Sequence, residues 1–410
     1  MFLTARYPPL TSLSTLLRGT LTVTPLLLSA GCRRTGFPDV PAGYREFAYV
    51  ANSAGNTVTI LDLVYLRPDR TLAVGGSPVA LTPNPKRPEI YVVNSRPESP
   101  AGSISVIDTS ANAVVSTIPV GRNPLSLSVG PAGKRAYVAN AGSDSITVID
   151  LDARRPIATV STGSHPESAR IAPDGRTLVV ANRRAGTVML YAVADTATPL
   201  ILRATFPNCP GATSPVILPD SLKAYVACSE SHQVMALSLA AAADSWTTRQ
   251  EAAALTDRLL ALLDVGKSPT YLTLKPDGGE IFVSNIDSNT ISEISTQTNE
   301  VGSTYPIGER PAHGIVSGDN STLWVSNLGA DSLGLYSIDD GRLISSIRTG
   351  DAPDALAFSA DEHLLLAADT KSGDIAVIRI ASRLGPALFT MLPAGSHPVA
   401  ITVKASQSKP

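Results

Sequence analysis

One tetrad recurs along this chain and restricts its fold more than any other feature. Tyr49 opens YVANSAGNTVTILD, Tyr91 opens YVVNSRPESPAGSISVID, Tyr137 opens YVANAGSDSITVID and Trp324 opens WVSNLGADSLGLYSID. Aligned on it, the repeats start at Tyr49, Tyr91, Tyr137, Val179, Tyr225, Phe282, Trp324 and Leu366, spaced by 42 or 46 residues with a single interval of 57. A fixed period in this range, filled with β-branched residues, is the mark of a propeller or a solenoid. It also removes the need to divide 410 residues into ordinary domains, because each unit packs only on its neighbours.

Further anchors travel in phase with the tetrad. Gly-x-x-Pro stands at Gly75/Pro78, Gly121/Pro124, Gly163/Pro166, Gly266/Pro269, Gly308/Pro311, Gly350/Pro353 and Gly395/Pro398. One unit lacks it cleanly, where NCPGATSP precedes Val216. The turn APDGRT at 172–177, echoed by GPAGKR and KPDGGE, supplies the left-handed residues that hairpins need. Each unit therefore reads as four strands: one after the Gly-x-x-Pro, the tetrad, a segment such as ITVID, and one such as PIATVSTG. A four-stranded sheet of this kind is apolar on both faces, and a ring of stacked sheets buries both while leaving only short edges.

The tetrad, the TVTILD strand, the Gly-x-x-Pro and the Pro-Asp-Gly turn together resemble the YVTN family of bacterial and archaeal β-propeller repeats. The resemblance covers about 46–403 and implies an all-β propeller of four-stranded antiparallel blades. It says little about reaction type, since that family holds surface, binding and enzyme-like members. Eight tetrads predict eight blades, with seven as the alternative if one degenerate unit is an excursion. The chain begins on a tetrad strand, EFAYVANS, and ends on a first strand, PVAITVK, so the last strand is expected to pair with the first blade and close the ring. The propeller domain is placed at 46–405. The long interval carries its excess near 240–260, where Thr248 and Glu251 form a capping box ahead of good helix formers, which predicts a short helical insertion.

At the N-terminus, Arg6 and Arg18 precede the apolar run TLTVTPLLLSAGC, too short to cross a bilayer. LSAGC resembles the lipobox of bacterial lipoproteins, although Ser29 stands where Leu is commonest. The expectation is a signal peptide at 1–31, lipidation at Cys32, and a tether over 32–45. The protein would then be exported to the periplasm or cell surface and touch the membrane only through its lipid. Cys209 and Cys228 map to one face of one blade, so a disulfide between them is expected in that oxidising compartment.

A residue the frame needs repeats around a ring, whereas a residue a ligand needs does not. Two residues past the proline the positions read Ala80, Ser126, Ser168, Ile217, Tyr271, His313, Ala355 and Ala400, and Tyr271 and His313 are the bulky exceptions. One residue past it, Glu167 and Asp354 replace apolar or small residues, and just before it stand His165, Arg310 and His397. These seven, His165, Glu167, Tyr271, Arg310, His313, Asp354 and His397, are the ligand-binding candidates, and they include three of the chain's five histidines. His232 and His363 read as ordinary turn residues.

A net charge of -2 offers nothing to nucleic acid or to an anionic membrane surface. No nucleophile elbow, His-Glu-x-x-His, phosphate loop or haem attachment motif is present. No cofactor is identified, no catalytic residue is assigned, and no spacing supports a metal. The first reading is a monomeric binding or scaffold module whose channel mouth takes an envelope protein, a glycan or a small ligand. The alternative is a periplasmic enzyme or cofactor-bearing protein, because the resembling propellers include lactone hydrolases, amine dehydrogenase subunits and haem-handling proteins. A purely architectural surface protein is the third.

Overall fold

The computed structural model describes residues 40–96, 98–194, 198–240, 256–381 and 385–407. Strands numbered β1 to β32 in chain order form eight four-stranded antiparallel sheets, and among the described residues there is no helix. Blade 1 contains β1 (Tyr44–Asn52), β2 (Thr57–Asp62), β3 (Arg67–Ala73) and the last strand, β32 (Pro398–Gln407). Blades 2 to 8 follow in sequence at 78–120, 124–161, 166–206, 212–264, 269–306, 311–348 and 353–393. The ring thus has eight blades and closes by a clasp: β32 pairs antiparallel with β1 from Tyr44↔Gln407 to Asn52↔Pro398. The expected helix falls largely on 241–255, which lie outside the described residues. Its last positions, from Arg258, are strand.

The tetrad explains the packing. Tyr49, Tyr91, Tyr137, Val179, Tyr225, Phe282, Trp324 and Leu366 are all fully buried between adjacent sheets. Each such burial removes a large apolar surface from water, worth about 2–3 kcal/mol. The phenols also reach across the seam between blades: Tyr49 donates to Asn112 Oδ1 at 2.5 Å and Tyr225 to Asn299 Oδ1 at 2.7 Å.

The tetrad asparagine is a buried pin. Asn52 Nδ2 donates to Thr59 Oγ1 at 2.9 Å, Asn94 to Ser105 at 2.9 Å and Asn140 to Thr147 at 2.9 Å. Above it sits the glycine of Gly-x-x-Pro: a Cβ on Gly75 would lie 2.6 Å from Asn94 Cγ, and one on Gly308 2.3 Å from Asn327 Cγ. Glycine is required there by close approach. The residue before the proline, or before Ala212 in blade 5, is left-handed all round the ring, at Ser77, Asn123, His165, Gly211, Ser268, Arg310, Ala352 and His397. An acceptor from the preceding hairpin often holds its N–H, as Asn56 Oδ1 holds Ser77 at 2.7 Å. His232 does this for Ser268, at 3.1 Å, so it is a structural element of the loop rather than an idle turn residue.

Two blades replace the pin. In blade 5, Ala212 pairs with Cys228 as Pro78 pairs with Asn94. Cys209-Pro-Gly-Ala212 is therefore the degenerate Gly-x-x-Pro, and a Cys209–Cys228 disulfide stands where glycine and asparagine meet elsewhere. This register corrects the comparison at Val216 and Ile217: the equivalent positions are Thr213 and Ser214. In blade 8 the pin is Asp369, facing Asp374 across the hairpin of β29 (Leu364–Asp369) and β30 (Asp374–Arg379).

Candidate functional site

The first strand of each blade lines the central channel, and a ladder irregularity follows the proline in most of them, between Pro78 and Ala80 and between Pro269 and Tyr271 for example. Such bulges re-aim side chains. The channel encloses a cavity of about 800 Å³ whose walls include Glu167, Arg170, Tyr271, His313 and Asp354. Four of the seven sequence candidates thus share one space.

On one wall, adjacent blades bring together Tyr271, His313 and Asp354. His313 Nδ1 lies 2.6 Å from Asp354 Oδ1. The Tyr271 and His313 rings are 4.3 Å apart between centroids and tilted by 57°. His313 is fixed from behind as well, since its N–H donates to Ser326 Oγ at 3.1 Å and its carbonyl accepts from the same hydroxyl at 3.2 Å.

The dyad tunes both partners. Burial works against charging His313, but the charge of Asp354 and its hydrogen bond prevail and raise the imidazole above its usual value. Burial likewise pushes Asp354 up, yet His313, with a smaller contribution from His397, holds it below the usual carboxylate range. Water still reaches the histidine, whose side chain is 35% accessible inside the channel. Burial keeps the Tyr271 phenol protonated; Arg170 opposes that shift and Asp354 reinforces it.

Across the channel, blade 4 contributes Glu167, with Arg183 Nη1 at 3.7 Å from Oε1 and His165 Nδ1 at 3.5 Å from Oε2. His165 therefore attends Glu167 rather than the dyad. His397 reaches the dyad only through its charge on Asp354. Arg310 is exposed, occupied through its backbone by Asn289, and joins neither group. Sequence comparison missed Arg170 and Arg183. Both break their ring of equivalents: Arg170 stands where other blades carry Thr82, Ser128, Thr273 or Ala357, and Arg183 where they carry Ser53, Ser95 or Ala141. Among the described residues no cluster of three or more His, Cys, Asp or Glu could hold a metal ion.

A family profile described as "Lactonase, 7-bladed beta-propeller" matches residues 62–259 and 305–400. No curated protein sequence matches the chain. Solved structures share the fold at low identity. Dihydro-heme d1 dehydrogenase NirN in complex with DHE superposes with a TM-score of 0.69 at 15% identity, covering 90% of this chain and 76% of that one. The periplasmic gluconolactonase PpgL of Pseudomonas aeruginosa gives 0.57 at 17%, covering 88% and 99%. Hydrazine synthase of Kuenenia stuttgartiensis gives 0.53 at 18%, covering 73% and 92%.

Proposed function

The chain belongs to the lactonase β-propeller family, and from that premise we propose that its channel opens a small lactone by hydrolysis, with His313 as general base. The observation that carries this reading is the His313–Asp354 dyad, 2.6 Å across, beside Tyr271 in a cavity large enough for a sugar-sized ring. The chain has eight blades where the family description counts seven, so the site is argued from its own residues.

The chemistry follows from the geometry. Asp354 accepts the Nδ1–H of neutral His313, which leaves Nε2 free to take a proton from water. The water oxygen adds to the lactone carbonyl, and the Tyr271 hydroxyl, kept protonated by burial, donates to the oxyanion. Collapse breaks the ring C–O bond, and the imidazolium returns its proton to the departing oxygen as an alcohol. The product hydroxy acid loses its carboxyl proton to solvent. His313 must be neutral to begin, so the rate rises with pH through its raised pKa, above the usual imidazole range.

Ring opening of δ-gluconolactone in a pH-stat, corrected for spontaneous hydrolysis, tests the proposal. His313→Gln is expected to lose about 10²- to 10⁴-fold in rate, the usual worth of a positioned base. A wild-type rate equal to the background, both for this lactone and for one that carries a free carboxylate, would overturn the reading and return the channel to a binding module. We also keep the YVTN resemblance as our reading of the repeat, and propose export with lipid anchorage at Cys32. Cys32→Ala is then expected to move the protein from the membrane fraction to the soluble one, and unchanged retention would end that proposal.

A further inference from the structure

We infer that the channel is built for a ligand carrying one carboxylate, and that Arg170 is the residue that selects it. Both acids that line the cavity already have partners. Asp354 is hydrogen-bonded to His313 at 2.6 Å, and Glu167 is paired with Arg183 at 3.7 Å, with His165 Nδ1 at 3.5 Å. Arg170, on the inner strand of blade 4 (Pro166–Ile171), is left over: it is exposed into the cavity and makes no ion pair among the described residues. Its charge is nevertheless felt at the centre of the site, where it favours ionisation of the Tyr271 phenol.

The frame does not require this arginine. The same position in the other blades holds Thr82, Ser128, Val216, Thr273, Ile315, Ala357 and Thr402, which are small, hydroxylated or apolar. An unmatched guanidinium in a confined channel raises the local potential and is stabilised by whatever anion enters. Its planar fork matches a carboxylate with two parallel hydrogen bonds. Arg183, the neighbouring guanidinium of this wall, already attends Glu167, which leaves one fork for one carboxylate. Ser126, Ser168, Ser214 and Thr270 line the same cavity; Ser126 and Ser214 Oγ accept the backbone N–H groups of Ala169 and Leu272, and their own O–H groups can still donate to a polyhydroxylated body. The ligand class is therefore a small sugar acid, its carboxylate on Arg170 and its reacting carbon toward His313. In the lactone form this inference rests on the hydrolase reading above; the carboxylate specificity does not.

Calorimetry on the intact protein with three matched probes tests it: glucuronate, glucose and glucose 6-phosphate differ only at the carbon remote from the anomeric centre. Glucuronate is expected to bind, more weakly as salt is raised, and the other two to bind at least tenfold less tightly. Arg170→Met is expected to weaken glucuronate about 10- to 100-fold, as loss of a charge-assisted pair does, with Arg170→Lys between the two and melting curves confirming that both variants fold. An unchanged glucuronate affinity in Arg170→Met, or tighter binding of glucose 6-phosphate, would overturn the inference. The two proposals fail separately. Arg170-dependent glucuronate binding with no lactone turnover removes only the hydrolase. Equal turnover of a neutral lactone by wild type and Arg170→Met, with no preference for glucuronate, removes only the carboxylate specificity.

Discussion

Replacing Asp369 by asparagine restores in blade 8 the pin used by most of the ring, and the change should be readable as a change in how stability depends on pH. Asp369 is fully buried at the position of Asn52, and Asp374 occupies the position of Thr57. Two facing carboxylates cannot both ionise cheaply. Burial first, then the neighbouring Asp374, raise Asp369 from 3.8 to about 7, against the lowering influence of the Gly350 N–H at 3.0 Å. The native state thus holds a proton that the unfolded chain releases near 3.8. This contribution to stability is whole below that value, declines as pH rises, and is gone once pH has passed about 7. At about 1.4 kcal/mol per pKa unit, the shift corresponds to ~4 kcal/mol between the two limits. An asparagine in this place has no proton to lose, and its amide would donate to the Asp374 carboxylate. Thermal and denaturant melts of wild type and Asp369→Asn between about pH 4 and 8.5, a range that spans the titration, are the assay. The variant should gain on wild type as pH rises and be several degrees more thermostable at about pH 8. Two melting-temperature curves that stay parallel across this range would refute the argument.

Reducing the Cys209–Cys228 bridge, or replacing both cysteines by serine, opens a loop of 19 residues and is expected to lower stability by about 3 kcal/mol; a denaturant midpoint unchanged by reductant would contradict this. Deleting 397–410 removes the strand that completes blade 1 and should abolish the single cooperative unfolding transition, so a truncated protein that melts like the full one would show that the clasp does not hold the ring.

Most of the frame could be read in advance because its requirements repeat. A buried aromatic at Tyr49 and its equivalents, a glycine forced by contact with an asparagine, and a strand left unpaired at each end all show as periodic letters. Blade 5 misled the reading because Cys-Pro-Gly-Ala keeps the geometry of Gly-x-x-Pro without its letters, while Pro215 imitates the missing proline three positions later. The site was half legible. Tyr271, His313, Asp354 and Glu167 stood out as single departures from small residues, and all line the cavity. Arg170 escaped because the comparison stopped two residues past the proline, and the pleat returns to the channel further along the strand. No letter of the sequence singled out His313 and Asp354 as a pair; the structure brings them to 2.6 Å and makes them a dyad. The ranking of binding module over enzyme rested on missing motifs, which a site assembled from separate blades does not produce.

The clasp has a mechanical consequence. Because Tyr44 faces Gln407 at the outer end of the pairing, the two chain ends leave the ring side by side. Tension applied between them would load the ladder one rung at a time, as a zipper is opened, rather than shearing all rungs together. The seam should therefore part at low force when pulled from both ends. Held by its N-terminal side alone, the same ring carries no load across the seam.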